Sequence, residues 1–381
     1  MPLSAELTRL SIVTPHHPSA SGGGAEFQIQ CLLESLLDLQ RYDISYVARS
    51  VDPDFKPRGY RIVRIGRGSR APRFGYGMDA VPLYRALKAL RPQVIYQRVA
   101  CGYSGICAWY ARRNSARMIW HVAHDTDVTG ETLDPGRNPI RRILENASIR
   151  YMIGAADHIV TQTQWQRTEL ERNYHRAADG IVRNFHPEPA ERIDKSGAVS
   201  TVLWVANFKR WKQPELFLDL AAALQDVTGT RFVMVGAQAG GSGEREWNTA
   251  VMQRIRTAPN VEYLGPRPQA EINQLLAGAH VFVNTSISEG FPNTFIQAWM
   301  RAVPVVSLQV DPDEVLEREG IGVRAGSAQG LADAVRRLLV TPGLREEYGE
   351  RARRYALLKH SLRNARQLAQ LIDTSRMDSA G

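Results

Sequence analysis

The sequence predicts an α/β protein of two doubly wound domains, each a parallel sheet covered by helices on both faces. Short apolar runs of strand length alternate with helix-period segments along the whole chain. The alternation restarts near residue 200, after the Pro-containing, charged stretch 186–199 (HPEPAERIDKSGAV). A length of 381 residues suffices for two such domains, each with its own core. The expected boundaries are 1–185 for the first domain, 186–199 for a linker, 200–355 for the second domain and 356–381 for a terminal helix.

Each element has a local reason. Residues 10–14 form an apolar strand that stops at Pro15. The glycine run SGGG (21–24) follows, and then a helix over about 25–39, with Phe27, Leu32, Leu36 and Leu39 at helical spacing. Segments 44–48 and 61–65 alternate as strands, 81–90 is helical, and 94–97 is a further strand. A helix over 104–113 leads to the apolar strand 118–122. Pro139 suits the first turn of a helix running to about 154. Strand 158–161 and helix 165–172 complete the first half. In the second half strands are expected at 202–205, 231–235, 261–264, 280–284 and 303–307. Helices are expected at 215–224, 271–276, 292–301, 331–339 and 344–371.

Composition narrows the class. With 44% hydrophobic and 23% charged residues the chain reads as soluble and globular. No run approaches the ~20 apolar residues of a membrane-spanning helix. The N-terminus carries Glu6 and lacks the long apolar core of a signal peptide. Cys31, Cys101 and Cys107 fit neither a disulfide framework nor metal-ligand spacing, so a reduced, cytoplasmic setting is expected. The net charge of +9 is unevenly spread: residues 1–195 hold 27 Lys/Arg against 20 Asp/Glu. Residues 56–73 alone carry seven basic side chains and no acid. That run suits an anionic membrane surface, a pyrophosphate-linked acceptor or nucleic acid, and equally a solvated loop. The helix at 139–154 mixes Arg141, Arg142 and Arg150 with Ile140, Ile143, Leu144, Ile149 and Met152. It reads either as a membrane-surface element or as a core-facing helix with arginines on its wet side.

The segment SEGFPNTFIQAWMRAVPVV (288–306) carries the most chemistry. A strand ends near Asn284, a loop holds Glu289 and Gly290, and a helix opens at Pro292. The first turn of a helix presents amide N–H groups without internal partners and about half a positive charge, a natural seat for a diphosphate. Gly290 permits close backbone approach, and Asn293 and Thr294 add side-chain donors. A carboxylate does not help an anion, but Glu289 can accept from two sugar hydroxyls. The combination suggests a sugar diphosphate.

This segment resembles the E-x7-E signature of retaining GT-B glycosyltransferases of family 4, and the resemblance extends over most of the chain. It implies two Rossmann-like domains facing a cleft, with the helix after about 355 crossing back to the first. On that resemblance Glu289 contacts the donor sugar and the backbone of Gly290, Phe291 and Pro292 meets the phosphates. Gln297 stands where the family has a second Glu on the ribose. WVANFKRWKQPELFLDLA (204–221) is similar to the family segment carrying an Arg and a Lys. Lys212 matches the phosphate-approaching Lys, and Asn207 replaces the Arg. Lys209 or Arg210 lies near enough in sequence to restore that charge. Arg267, in the loop Gly265-Pro266-Arg267, falls beside the base. The loop holding Gly23 and Gly24 lets donor or acceptor approach the backbone, though it fits neither a dinucleotide fingerprint nor a P-loop.

After strand 118–122 come His124, Asp125 and Asp127. His124 matches a family His near the reacting carbon, whereas His121 sits where it can pack inside the strand. The same cluster offers divalent-metal ligands, but the family's catalytic core needs no metal and no other cofactor is expected. Asn184 matches a family Asn shortly before the linker, and His186 has no clear role. The expected function is retaining, metal-independent transfer from a UDP- or GDP-sugar to a glycan or lipid-linked acceptor in envelope or exopolysaccharide synthesis. The setting is cytoplasmic, with peripheral contact to anionic membrane and no nucleic acid partner. His124, Glu289 and Lys212 are the expected catalytic residues. Two alternatives stay open: a nucleotide-sugar epimerase on the same fold, for which Asp125 is the one acid to name, and a non-catalytic nucleotide-sugar-binding protein.

Overall fold

The structure, a computed structural model, describes residues 7–20, 22–66, 76–130, 139–197, 199–240 and 244–377. Ser21 of the glycine run and Arg67, Arg70 and Arg73 of the basic run lie outside them. The chain divides into two compact units, Met1–Phe185 with Leu362–Gly381, and His186–Ser361.

The first unit holds a sheet of β1 (Thr8–His16), β2 (Tyr42–Ser50), β3 (Arg61–Arg64), β4 (Val94–Gln97), β5 (Arg117–His121), β6 (His158–Thr161) and β7 (Gly180–Ile181). The spatial order is β3-β2-β1-β4-β5-β6-β7, and every pairing is parallel. Alternate residues feed two cores, one on each face. Ile95, Met118 and Trp120 face one, and Val94, Tyr96 and Ile119 the other. Parallel strands covered twice need such near-continuous apolar runs. The C-terminal helix Arg363–Met377 seals the second face: Ala365, Leu368, Ala369 and Ile372 pack with Ile29, Leu32 and Leu36 of helix Gly24–Asp38.

The second unit repeats the plan with β8 (Ser200–Val205), β9 (Thr230–Val235), β10 (Val261–Tyr263), β11 (Val281–Asn284), β12 (Val305–Ser307) and β13 (Gly322–Arg324). Their order is β10-β9-β8-β11-β12-β13, again all parallel. The chain steps from β8 outward to β10, then crosses back to lay β11 on the other side of β8. Strand order therefore reverses between β8 and β11, and in open parallel sheets ligands bind beyond the carboxyl ends of strands at such a switch. In the first unit the reversal falls between β1 and β4.

Three details differ from the expectation. The segment 344–371 is two helices, Pro342–Lys359 and Arg363–Met377, broken at His360. The His360 ring is buried among Phe291, Tyr355 and Trp299, at 4.6, 5.5 and 6.0 Å between centroids. The helix Arg245–Thr257 and the short strand β13 were not expected. Finally, 186–199 is no loose tether. Glu191 pairs with the buried Arg301, and Lys195 donates to the Ala302 carbonyl, so the stretch is bound to the second unit.

Candidate functional site

The second unit's switch point is built from the loops after β8 and β11. The first carries a 3-10 turn at Arg210–Lys212, the second runs from Thr285 to Pro292. Backbone and side chains stitch them together. Ile287 N donates to the Trp211 carbonyl (2.8 Å). The buried Trp204 indole donates to Thr285 Oγ1 (2.9 Å), and the Thr285 hydroxyl donates to the Lys212 carbonyl (2.6 Å). This relay fixes the backbone from which the Lys212 side chain reaches Glu289.

Lys212 and Glu289 form an ion pair, their side chains only 18% and 14% exposed. Ser286 Oγ donates to the same Glu289 Oε1 (2.8 Å). The Ser286 hydroxyl is itself oriented, because Asn284 Nδ2 donates to it (3.2 Å) and Asn284 Oδ1 accepts from Ser286 N (3.1 Å). A lysine and a carboxylate shielded from water neutralise each other strongly, and either one alone there would be costly. The arrangement holds one cation and one anion beyond the carboxyl ends of the two central strands, ready to be shared with a ligand that carries both phosphate and hydroxyls.

Helix Asn293–Met300 begins directly after this pair. Pro292 is its N-cap rather than its first residue, no side chain caps it, and its first turn contains no acid. The positive end of its dipole faces the loop and favours an incoming anion. Phe291 is buried and packs on Trp299 and His360, which pins the turn. Gln297, also buried, donates to Asn273 Oδ1 (3.0 Å) while its own carbonyl accepts from Arg301 (2.9 Å). Across the switch, Asn207 Oδ1 accepts from Ala237 N (3.1 Å). There Gly236 takes φ of 153°, and a Cβ would run into the Ala206 carbonyl. Of the two candidate replacement cations, Arg210 turns to Glu244 (3.3 Å) and the Trp247 ring (5.2 Å). Lys209 instead lies over Trp211 (4.9 Å). Arg267 pairs with Glu271 (3.4 Å), next to the edge strand β10.

In the first unit, the loop after β5 holds His124. Its Nδ1 accepts from Thr126 N (3.2 Å), which places the ring proton on Nε2. Asp127 Oδ2 braces this loop by accepting from Ala123 N and His124 N (3.1 and 2.9 Å). Burial pushes the Asp127 carboxyl up to about 6 despite these two donors. Asp125 accepts from Gln166 (2.8 Å). Among the described residues no group of three His, Cys, Asp or Glu is arranged to hold a metal ion. Gly23 caps helix Gly24–Asp38 without a side-chain bond.

His121 packs inside the strand. Arg98 donates to its Nδ1 (2.7 Å), so Nε2–H donates to the Val182 carbonyl (3.1 Å). Burial and the Arg98 charge hold this ring neutral, well below its ordinary pKa. Arg98 also donates to Asn184, which joins β4, β5 and the chain just before the unit boundary. The structure thus unites Lys212, Glu289 and Gly290–Thr294 in one place, and places His124, Gly23 and Gly24 in the other unit. Sequence reasoning missed Ser286, Thr285 and Arg98. A run of small hydroxyls before the Glu (NTSISEG) was the available signal for the first two. Arg98 gave none, because burial of an arginine is a tertiary fact.

Comparison with known proteins identifies the family and the fold. A family model described as Glycosyltransferase Family 4 matches residues 22–183, and one described as Glycosyl transferases group 1 matches 199–341. The chain is 23% identical over 274 residues to a D-inositol 3-phosphate glycosyltransferase of Corynebacterium aurimucosum, covering 65% of this chain and 64% of that protein. It is 25% identical over 279 residues to the Streptomyces bingchenggensis protein of the same name, covering 66% and 60%. The chain therefore spans less than two thirds of the length of these curated relatives. Sucrose-phosphate synthase from Thermosynechococcus elongatus superposes with a TM-score of 0.75 at 18% identity, over 98% of this chain and 100% of that one. Anabaena HepE, solved with UDP and glucose, gives 0.76 at 16% identity, over 96% and 100%. At such identities the likeness speaks for the fold, which is GT-B. With the two family models covering most of both units, the chain belongs to the family 4 and group 1 glycosyltransferases.

Proposed function

We propose that the chain is a retaining, metal-independent glycosyltransferase that moves a sugar from a UDP- or GDP-sugar to a glycan or lipid-linked acceptor. The observation that carries this reading is the shielded Lys212–Glu289 pair beside the start of helix Asn293–Met300, whose first turn holds no acid. A donor diphosphate competes for the Lys212 ammonium and meets the amides of Gly290–Thr294. Its arrival releases Glu289 toward sugar hydroxyls, with Ser286 holding the carboxylate in place. Solved relatives carry UDP with glucose or UDP-glucose, and that donor chemistry is taken over here as part of the proposal.

In the reaction the bond between C1 and the donor phosphate oxygen breaks, and its electron pair goes to the departing nucleoside diphosphate. The acceptor hydroxyl oxygen bonds to C1 on the same face, and its proton passes to the donor phosphate. No protein nucleophile takes part. Charge grows on the leaving diphosphate, and Lys212 with the helix dipole stabilises it more in the transition state than before. Lys209, held over Trp211, supplies the second cation that Asn207 lacks. Gln297 and Arg267 complete the donor side, Gly23 and Gly24 admit ligand to the first unit's backbone, and His124 serves the reacting sugar. No helix among the described residues is long and apolar enough to cross a membrane. We place the enzyme in the cytoplasm, where envelope or exopolysaccharide precursors are assembled.

Incubation with labelled UDP- and GDP-sugars tests this. Transfer, or slow hydrolysis of the donor, supports it. Interconversion of the nucleotide sugar without transfer would make the protein an epimerase, and binding without turnover a sensor.

A further inference from the structure

The ring of Phe291 anchors the turn 290–292, where the donor reading above seats the diphosphate. Phe291 is buried, and its ring meets two others. Trp299, at 6.0 Å between centroids, belongs to the helix that the turn itself opens. His360, at 4.6 Å, comes from nearly seventy residues later in the chain, just after helix Pro342–Lys359. His360 therefore ties the turn to a separate element. Its ring is fully buried and also meets Tyr355 (5.5 Å) and Trp299 (6.0 Å). Its backbone has a second task. His360 N makes the last bond of the helix, to the Ala356 carbonyl (2.8 Å), and the His360 carbonyl accepts from His186 N (2.8 Å). The second unit runs from His186 to Ser361, so the chain enters and leaves it beside this one hydrogen bond.

We propose that His360 is a positioning residue for nucleotide binding: its ring sets the place of Phe291, and with it the backbone that meets the diphosphate. The inference rests on the donor reading above. Packed rings do not shift independently, because a protein interior is as dense as an organic crystal. Loss of the His360 ring therefore frees Phe291 to move, and a misplaced turn binds its ligand poorly. The dependence runs both ways. A ligand that fixes the Phe291 backbone also stills His360, whose carbonyl then holds the His186 amide more firmly. Nucleotide binding is thus registered at the residue where the chain enters the unit. The neighbours that fix the His360 ring are themselves rings, so the position calls for an aromatic body.

Calorimetry of UDP and GDP binding to the full chain, paired with amide hydrogen exchange, tests the proposal. His360→Ala should weaken binding of the preferred nucleotide about tenfold. His360→Phe keeps ring and volume and should bind within about twofold of wild type. Nucleotide should slow exchange at the His186 amide in wild type and His360→Phe, but not in His360→Ala. Leu368→Ala is the control for plain loss of stability. It opens a cavity in the first unit's core, so it should lower the melting temperature and leave nucleotide affinity unchanged. His360→Ala that binds like wild type would overturn the proposal, as would a His186 amide indifferent to nucleotide. So would a Leu368→Ala variant that loses as much affinity, since the His360 effect would then be one of stability alone. Wild type that binds neither nucleotide would instead sink the donor reading, and this inference with it.

Discussion

At the residue scale, Lys212 and Glu289 each depend on the other for neutrality in a place largely closed to water. Lys212→Met leaves the carboxylate with Ser286, and burying an unpaired charge costs on the order of 3 kcal/mol, measurable by chemical denaturation. Glu289→Gln keeps the shape and removes only the charge. Labelled-donor transfer by that variant should fall at least about 100-fold with the fold retained, the size expected for losing a charged transition-state contact. Activity near wild type would misplace the site. Ser286→Ala should act more mildly, about tenfold on kcat, because it only loosens the carboxylate. Glu289 and Gly290 were legible in the sequence because strand, loop and helix start follow one another in a single segment, whereas Lys212 came from the resemblance of the separate stretch 204–221. The fate of the two cations near Asn207 was not legible. Arg210 is drawn away by Glu244 and Trp247, which lie more than thirty residues on, at the N-cap and in the first turn of a helix that the sequence pattern does not reveal.

At the element scale, the switch point relies on backbone approaches that side chains would block. Gly236 ends β9 at φ of 153° against the Ala206 carbonyl. Gly236→Ala should therefore destabilise the protein by about 2 kcal/mol or more, read as a lower denaturation midpoint with an unchanged m-value. Thr285→Val would break the relay between Trp204 and the Lys212 carbonyl. Most strands were readable because buried parallel strands are short apolar runs. β13 was not, since three residues, Gly-Val-Arg, carry no periodicity. The break at His360 was hidden for a different reason. Apolar positions at helical spacing continue on both sides of it, and the aromatic cage that stops the helix comes from Phe291, Trp299 and Tyr355.

At the scale of the molecule, buried histidines set the response to acid. Burial lowers His17 and His186 from the ordinary 6.5 to about 4, and His121 lies well below its ordinary value. The unfolded chain takes up these protons first, so their stabilisation is complete above about 6.5 and is lost as pH falls toward 4. Asp127 and Asp311, raised to about 6, work in the opposite sense over the same window. His16 and His280 are lowered by burial as well, and five histidines outweigh two carboxyls, so the melting temperature should fall on acidification from pH 6.5 to 4.5, and calorimetry showing a rise would refute this balance. In the proposed function the second unit grips a nucleoside diphosphate through Lys212 and the helix start at Asn293. Titration calorimetry of UDP and GDP against wild type and Lys212→Ala tests it most directly. One of the two nucleotides should bind, and the variant should bind it at least about tenfold more weakly. Equal affinity in both proteins, or no binding of either nucleotide to wild type, would contradict the account.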